Sequence, residues 1–403
     1  MDDLSQDEAI AGKADHSKRY IQYAANILKS YRGDVPFNIF LKKYFSLNKK
    51  HGSRDRRILS ALCYGYFRLG HGAIADISIE KKLLLGYFLT QHSSSPKVKI
   101  LPEDWNDQIQ IPVFEKLNKV KDIFDTEKIF PLTAMLSKEI CKKSFQLSFL
   151  FQPDVFLRVR PGFYTNVINT LKKAAIPFEI KEENCLALTA ETKISEVFIP
   201  DKMTVIQDYN SQKVGSLLIT AQKYLPGNIN CWDCCAGSGG KSILAYDILK
   251  NLKLTVSDKR KSILDNLQKR FSVAGIKDYK FLVADIAAKK YIPPHKDFDL
   301  IIADVPCSGS GTWSRTPEQL RFFHDSEIDR YATLQKNILR NTVDSLKPGG
   351  CLVYVTCSVF EKENEANIHF VKEQLGLELL ESHYFKGYEM KADTLFGALF
   401  LKK

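Results

Sequence analysis

Three patterns of apolar residues follow one another along the chain, and the first is helical. Apolar side chains recur at three- and four-residue spacing over 20–28 and again over 58–67. A further helix is predicted around 113–124, and the polar, proline-broken segment 92–96 indicates a boundary before it. We therefore expect an all-α domain over residues 1–125.

The second pattern mixes short strands with a helix. Residues 155–160 alternate between apolar and polar positions as a strand does, and 166–175 have helical spacing. Further short strands are predicted at 178–180, 185–188 and 197–199. This region, 126–204, is predicted to be a small α+β module.

The third pattern, over 205–403, is a regular alternation of strands and helices. Buried strands are predicted at 229–234, 252–257, 281–284, 300–303, 352–356 and 395–401. The intervening helices are predicted from Lys241 onward, over 262–274 and over 326–346. Such alternation predicts a doubly wound, Rossmann-like α/β domain with its ligand site at the carboxyl ends of the strands.

The charge of the chain favours a polyanionic partner. Of 403 residues, 58 are Lys or Arg and 47 are Asp or Glu, so the formal net charge is +11. A basic stretch runs from Lys42 to Arg57 with only Asp55 to offset it. Counterion release would favour binding of nucleic acid to such a surface, although charge alone leaves a merely basic soluble protein as an alternative.

Composition also narrows the class of protein. Aromatic residues make up 11% of the chain and hydrophobic residues 44%, which argues against a disordered protein. No apolar run approaches the length of a membrane span, so no membrane association is expected. The chain starts without a secretory signal and has nine cysteines, which predicts a cytoplasmic protein with reduced thiols. Cys231 and Cys234 have the spacing of a metal or redox pair, but no second pair follows, so we expect no metal.

A glycine-rich turn follows the first predicted strand of the third region. It runs from Asp233 to Lys241, and Asp258 ends the next strand, where a carboxylate can accept hydrogen bonds from ribose hydroxyls. A dinucleotide, ATP and S-adenosylmethionine are therefore candidate ligands. The spacing fits neither a P-loop nor the dinucleotide fingerprint, since Cys235 and Ser242 stand where glycines are needed. S-adenosylmethionine remains by elimination.

Two later turns carry one cysteine each. Asp304–Gly311 follows one predicted strand and contains Cys307, and Thr356–Ser358 ends the next and contains Cys357. Both turns are expected to open into the same crevice as the glycine turn. A small buried hydrophobe is the ordinary role of either cysteine alone, but the pair beside Asp304 favours chemistry. Methylation at a pyrimidine C5 needs a thiolate that adds at C6, a base that removes the C5 proton, and an acidic group near N3.

These motifs resemble those of the Sun-type RNA (cytosine-5) methyltransferases, most closely subfamily B. The resemblance rests on 233–241, Asp258, Asp285, 304–311, 354–358 and the tail from Asp393, with further matches at 205–212 and 157–160 and a weaker one in the helical segment 55–65. It implies a methyltransferase domain at 205–403, preceded by an RNA-binding α+β module and a NusB-like helical domain.

The resemblance also implies roles for individual residues. Cys357 would be the nucleophile, Cys307 would help to release the methylated product, and Asp304 would reach the cytosine. The residues implied to hold S-adenosylmethionine are Cys235, Ala236, Gly237, Ser238, Gly239, Gly240, Lys241, Asp258, Asp285 and Asp304. The family usually has Ala-Pro where this chain has Gly237-Ser238, which predicts a less preorganised loop and a lower cofactor affinity.

We expect the substrate to be RNA, 16S ribosomal RNA in particular, and the protein to be monomeric. Methylation of another RNA, such as tRNA, is one alternative. A DNA cytosine-5 enzyme is a second, and it would use Cys307, the cysteine after Pro306, as its nucleophile. A non-catalytic, antitermination-like RNA-binding factor is a third, but an inactive protein would have no reason to keep both cysteines.

Overall fold

The structure is a computed structural model that describes residues 18–93, 100–289, 291, 293 and 297–403. It consists of two compact units. Unit 1 contains the described residues up to Thr133 together with Cys141–Gln152 and Trp313–Phe323. Unit 2 contains Ala134–Ile140, Pro153–Thr312 and His324–Lys403. Of the boundary segment predicted at 92–96, residues 94–96 lie outside the described residues.

The elements are numbered in chain order. The described helices are α1 (18–30), α2 (Phe37–Leu47), α3 (Ser53–Arg68), α4 (Ile79–Thr90), α5 (Glu103–Asn106), α6 (Val113–Lys119), α7 (Lys142–Ser148), α8 (Tyr164–Lys173), α9 (Tyr209–Lys213), α10 (Gly215–Ala221), α11 (Gly240–Ile248), α12 (Lys261–Ala274), α13 (Gln319–Phe322), α14 (Ser326–Val343) and α15 (Glu365–Gln374). The strands are β1 (Val155–Val159), β2 (Glu179–Glu182), β3 (Cys185–Leu188), β4 (Thr204–Ile206), β5 (Ile229–Asp233), β6 (Leu252–Asp258), β7 (Tyr279–Val283), β8 (Phe298–Asp304), β9 (Leu346–Thr356), β10 (Leu377–Phe385) and β11 (Leu395–Lys402).

Unit 1 is helical over its described residues, and its core is rich in aromatic rings. Tyr31 packs edge-on against Phe37, Phe67 and Phe322. The buried carboxylate of Glu318 accepts a hydrogen bond from the backbone N–H of Phe37 at 3.0 Å. The segment 313–323 is therefore an integral part of this unit although it comes late in the chain. Helix α6 ends at Lys119, earlier than the predicted 124.

Unit 2 contains a small antiparallel sheet with the order β2-β3-β1-β4. Helix α8 contributes Val167 and Leu171 to the hydrophobic cluster on this sheet. The strand predicted at 197–199 is wrong: Phe198 is buried in that cluster, but its backbone joins no ladder, and β4 takes the fourth place in the sheet. Burial of an apolar side chain, not strand pairing, produced the apolar pattern there.

The second sheet of unit 2 has seven strands in the order β10-β11-β9-β8-β5-β6-β7. The five strands from β9 to β7 are parallel, whereas β11 pairs antiparallel with both β9 and β10. Along β9, Val353 and Val355 join the cluster formed with α10, α11 and α12, while Tyr354 hydrogen-bonds Gln335 of α14 and Asn367 of α15. Since successive strand residues face opposite sides, helices cover both faces of the sheet. The predicted doubly wound, Rossmann-like sheet is confirmed.

None of the helices in the described part of the chain is long and apolar enough to cross a membrane.

Candidate active site

The glycine turn connects β5 to α11 at the carboxyl edge of the seven-stranded sheet. Gly237 and Gly239 adopt left-handed backbone conformations, with φ of 52° and 85°. A Cβ atom on Gly239 would lie 2.7 Å from the ring of Phe271, whereas one on Gly237 would meet no atom within 4 Å. The turn is therefore packed against α12 beneath Gly239 and faces open space at Gly237. Its backbone is placed by Ala236, whose N–H donates to Ser257 O at 2.9 Å.

Gly237 and Ser238, where the sequence departs from the family pattern, lie in a loop that is held by the side chain of Arg270. The guanidinium of Arg270 donates to the carbonyl oxygen of Ser238 at 2.9 Å and to its hydroxyl at 3.0 Å. Its other nitrogens donate to both carboxylate oxygens of Asp201, at 2.9 and 2.7 Å. A rigid, charge-assisted fork thus fixes the loop where a proline would have restricted it.

The predicted cofactor carboxylates lie along the same edge. Asp258, at the end of β6, is 8% exposed and accepts the N–H of Gly237 at 3.1 Å. Its backbone carbonyl accepts the N–H of Ala284, which places Asp285 beside it. The Asp285 carboxylate is half-exposed and pairs with Lys259 Nζ at 2.7 Å. Asp258, Asp285 and the glycine turn therefore form one continuous rim.

Lys241 connects this rim to the next strand. Its Nζ lies 3.2 Å from the carboxylate of Asp304, which ends β8, and donates to the Ser211 hydroxyl at 2.7 Å. The Asp304 side chain is 33% exposed, so it can still contact a ligand. Cys235, the first predicted cofactor residue, is half-buried in the same turn.

The side chains of the two predicted catalytic cysteines, Cys307 and Cys357, are in contact. The sulfur atoms of Cys307 and Cys357 are 3.2 Å apart, both cysteines are free thiols, and both are half-buried. The hydrogen bond with Cys357, removal from water and the nearby Glu363 carboxylate raise the pKa of the Cys307 thiol well above its usual range. Either sulfur can be the hydrogen donor in this contact, and the raised pKa favours the protonated form of Cys307. The two turns are also joined by their backbones, since Gly311 N–H donates to Cys357 O at 2.9 Å.

Two buried carboxylates near these turns were missed as site residues. Glu363 is fully buried beneath the cysteine turns, although a glutamate in the polar run 361–365 carries no burial signal in the sequence. Asp233 ends β5, and one of its oxygens accepts the Ser242 hydroxyl while the other has no hydrogen-bond partner among the described residues. Burial raises the pKa of Asp233 to about 7.

The basic stretch of unit 1 lies mostly at the surface. Its exposed members are Lys42, Lys43, Lys49, Lys50, Arg54 and Arg57. Arg56 is half-buried and donates from Nε to the carbonyl of His51 at 2.8 Å. In the part of the chain that the structure describes, no cluster of three or more His, Cys, Asp or Glu side chains could hold a metal ion.

Comparison with known proteins identifies the domain that carries the site. Residues 225–396 match the family described as 16S rRNA methyltransferase RsmB/F. The match covers less than half of the chain and includes the glycine turn and both cysteines of the site. The resemblance to Sun-type methyltransferases drawn from the sequence is thereby confirmed, whereas the NusB-like assignment of 1–125, the RNA-binding assignment of 126–204 and the domain borders stay predictions.

Three curated relatives illustrate the similarity. Ribosomal RNA small subunit methyltransferase F of Shewanella amazonensis is 33% identical over 149 residues, covering 36% of this chain and 31% of the relative. Ribosomal RNA small subunit methyltransferase B of Klebsiella pneumoniae is 33% identical over 140 residues, covering 34% of this chain and 31% of the relative. The 28S rRNA (cytosine-C(5))-methyltransferase of Mus musculus is 29% identical over 166 residues, covering 39% of this chain and 20% of the relative. The matched part of the chain thus spans less than a third of each of these relatives' length.

Two solved structures are similar in fold to this chain. The crystal structure of PH0851 has a TM-score of 0.68 at 20% identity and covers 91% of this chain and 95% of that one. The structure of NSun6 from Pyrococcus horikoshii with SFG has a TM-score of 0.55 at 18% identity and covers 66% of this chain and 96% of that one. Both support a Rossmann-like methyltransferase fold.

The residues at the rim fit a nucleoside cofactor with a charged tail. Open space lies over Gly237 at the start of α11, whose free N–H groups favour a carboxylate. Asp258 offers its carboxylate at the end of β6, and Asp304 offers a half-exposed carboxylate near the cysteine pair. This donor set suits ribose hydroxyls at one end and a positively charged group toward the cysteines.

Proposed function

We propose that the protein transfers a methyl group from S-adenosylmethionine to C5 of cytosine in RNA through a covalent cysteine adduct. The single observation that carries this proposal is the 3.2 Å approach of Cys307 and Cys357, in the turns that follow the neighbouring strands β8 and β9. The RsmB/F match of the surrounding domain supports the cofactor and the class of substrate. S-adenosylmethionine supplies an electrophilic methyl group.

In the proposed mechanism Cys357 is the nucleophile. Its thiolate forms a bond to C6 of the cytosine, and the displaced ring electrons make C5 nucleophilic. C5 would then bond to the methyl carbon while the bond from that carbon to the sulfonium sulfur breaks, and the electron pair of the broken bond would stay on sulfur in the departing S-adenosylhomocysteine. A base then removes the C5 proton, the ring double bond returns, and the bond between sulfur and C6 breaks. The electron pair of that bond leaves with the sulfur of Cys357.

Cys307 is proposed to assist Cys357 twice, once before the thiolate attacks and once when it leaves the adduct. Its S–H group can donate to the Cys357 sulfur before attack and again as that sulfur departs, and such a bond stabilises negative charge. Asp304 is proposed to hydrogen-bond the cytosine near N3 and so offset the charge that develops on the ring. Because the base must enter a crevice at the sheet edge, it must first leave its stack.

We further propose that the substrate is 16S ribosomal RNA, which the description of the RsmB/F family supports. The rim formed by Gly237, Asp258, Asp285 and Lys241 would bind the cofactor, and the basic stretch 42–57 of unit 1 would contact RNA phosphates.

Methyl transfer to defined nucleic acids tests this function. The full chain is incubated with radiolabelled S-adenosylmethionine and, in parallel, 16S ribosomal RNA, bulk tRNA and a DNA copy of the ribosomal sequence. Label in 16S RNA, recovered as 5-methylcytidine by mass spectrometry, is the expected result. Label in tRNA alone would overturn the proposal that ribosomal RNA is the substrate. Label in DNA alone would overturn the proposal that the substrate is RNA. No label in any of the three nucleic acids would overturn the proposal that the protein is a methyltransferase. Bisulfite sequencing of ribosomal RNA from a strain that lacks the gene would then identify the nucleotide.

A further inference from the structure

One buried carboxylate joins the two cysteine turns. Glu363 is 0% exposed and lies in the short 3-10 turn Glu361–Glu363 that follows β9. One of its oxygens accepts the backbone N–H of Ser308 at 2.9 Å, and the other accepts the hydroxyl of Ser358 at 2.7 Å. Ser308 directly follows Cys307 and Ser358 directly follows Cys357. The same side chain therefore holds the residue next to each sulfur.

The helix behind the site supports the same carboxylate. Gln335 of α14 donates from Nε2 to Glu363 at 2.8 Å and to the carbonyl of Pro306 at 3.0 Å. Serine hydroxyls add further links between the turns, since Ser308 donates to Ser358 at 3.2 Å. Ser308, Ser358 and Gln335 are all neutral donors to Glu363, so they position a negative charge without cancelling it.

A negative charge at this position is costly, and a neutral side chain could have made the same links. Burying a carboxylate is unfavourable even when it is fully hydrogen-bonded, whereas a glutamine of the same shape could accept from Ser308 and donate to Ser358. The charge therefore calls for a reason beyond holding the loops together. Two titratable groups respond to this charge, because it disfavours the ionisation of both Cys307 and Tyr354.

We infer that Glu363 is a positioning residue for the proposed methyl transfer, one that fixes the two cysteine turns against each other and keeps Cys307 as the S–H donor to Cys357. This inference rests on the proposed function, because positioning matters only if the cysteines take part in methyl transfer. The pH dependence of Cys307 alkylation can nevertheless be measured without RNA or cofactor. Glu363 is fully buried, and its carboxylate is linked to the two cysteines through the adjacent Ser308 and Ser358.

The charged and titratable groups around Cys307 act in the same direction. Cys357 at the end of β9 and Glu363 both raise the pKa of Cys307, and Tyr354 of β9 is close enough for Cys307 to raise its pKa in turn. A backbone hydrogen bond from Gly309 opposes them. Removal of the Glu363 charge should thus lower the pKa of Cys307 while the other groups stay in place.

Two substitutions separate the effect of the negative charge of Glu363 from the effect of its side-chain length. Glu363→Gln keeps the length and the hydrogen-bonding positions but loses the charge. Glu363→Asp keeps the charge but is one methylene too short to link both turns. Glu365→Gln is the matched control, because Glu365 lies two positions further on and accepts hydrogen bonds from Ser137 and Tyr384 instead.

The experiment measures alkylation of Cys307 by iodoacetamide as a function of pH, read out by mass spectrometry of the peptide that contains Cys307, in the folded full chain. For Glu363→Gln we expect the midpoint of the profile to fall by about one pH unit and the rate below the midpoint to rise about threefold. For Glu363→Asp we expect an unshifted midpoint but at least about a tenfold loss of methyl transfer. Glu365→Gln should match the wild type in both assays.

An unshifted Cys307 profile in Glu363→Gln, or an equal shift in Glu365→Gln, would overturn the inference whether or not the protein methylates RNA. If Glu363→Gln does not fold, Glu363→Asp still decides: wild-type methyl transfer by that variant would show that the link between the turns is dispensable. A wild-type protein that alkylates normally and methylates nothing would refute the proposed function alone.

Discussion

Cys307 and Cys357 are 50 positions apart in the chain, yet their sulfur atoms lie 3.2 Å from each other. The sheet explains this proximity. Cys307 follows β8 and Cys357 follows β9, and these neighbouring parallel strands are in register with Asp304 opposite Val355. Because parallel strands end at the same edge, the residues just beyond them share one crevice. The pair is thus a consequence of topology, and the hydrogen bonds of Glu363 refine it.

Asp258 should be required for cofactor binding. Its carboxylate holds the N–H of Gly237 and is placed to accept from ribose, so its loss removes charge-assisted hydrogen bonds. We expect Asp258→Ala to weaken the binding of S-adenosylmethionine by about 1–3 kcal/mol in calorimetric titration. Asp265→Asn, which changes an exposed carboxylate on α12, is the control. Equal affinities for Asp258→Ala and the wild type would remove Asp258 from the site.

The Arg270 link should compensate for the missing proline in the glycine turn. Arg270→Lys keeps a positive charge but loses the fork that joins Ser238 to Asp201. Its affinity for S-adenosylmethionine should fall by about 1 kcal/mol, and restoring a proline at position 238 in that background should recover part of it. Lys269→Ala, which changes the neighbouring residue, serves as the control in the same titration. Unchanged affinity in Arg270→Lys would show that the loop needs no external support.

The basic stretch should set the salt dependence of RNA binding. Substitution tests this better than deletion of 1–125, since unit 1 also contains 141–152 and 313–323. Changing the exposed Lys42, Lys43, Lys49 and Arg57 to Ala should weaken binding. The slope of log Kd against log salt should fall by about 0.7–0.9 for each RNA phosphate that the variant no longer neutralises.

The control for that experiment removes the same charge elsewhere. The exposed Lys223, Lys250, Lys277 and Lys372 of unit 2 are changed to Ala together. If the slope falls equally in both quadruple variants, the effect comes from net charge, and the stretch 42–57 is not a specific RNA-binding surface.

Asp233 should make stability depend on pH. Burial raises the pKa of its carboxyl to about 7 from an ordinary value of 3.8, so between these values the folded state holds a proton that the unfolded state has lost. The free energy of unfolding should therefore fall as pH rises through this window, by up to about 1.4 kcal/mol per pH unit. Urea unfolding of the wild type and Asp233→Asn at pH values from about 5 to about 8 measures this, because the variant lacks the titrating carboxyl. Parallel pH dependences in the two proteins would contradict the assignment.

Much of unit 2 could be predicted from the sequence because its strands are short, buried apolar runs that end in recognisable turns. The glycine turn, Asp304 and both cysteines could be found for that reason. What the sequence does not reveal is long-range pairing of polar groups. Neither the Arg270 fork nor the burial of Glu363 has a periodic signal, since each depends on a partner dozens of positions away. The place of 313–323 in unit 1 escaped prediction for the same reason. Strand β10, which pairs with the following strand β11, was also not predicted.

The assignment of Cys357 as the nucleophile and Cys307 as the residue that assists release can be tested by trapping the adduct. Wild type, Cys357→Ala and Cys307→Ala are each incubated with S-adenosylmethionine and end-labelled 16S RNA, denatured, and run on a denaturing gel. Cys141→Ala, which changes an exposed cysteine directly before α7, controls for loss of a thiol. A covalent protein–RNA complex survives denaturation and runs as a retarded band.

We predict a retarded band with Cys307→Ala, which can attack and transfer the methyl group but releases its product slowly, and none with Cys357→Ala, which should also form no 5-methylcytidine. Cys141→Ala should behave as the wild type does. A retarded band with Cys357→Ala and none with Cys307→Ala would contradict the assignment and make Cys307 the nucleophile, as in the DNA-type reaction.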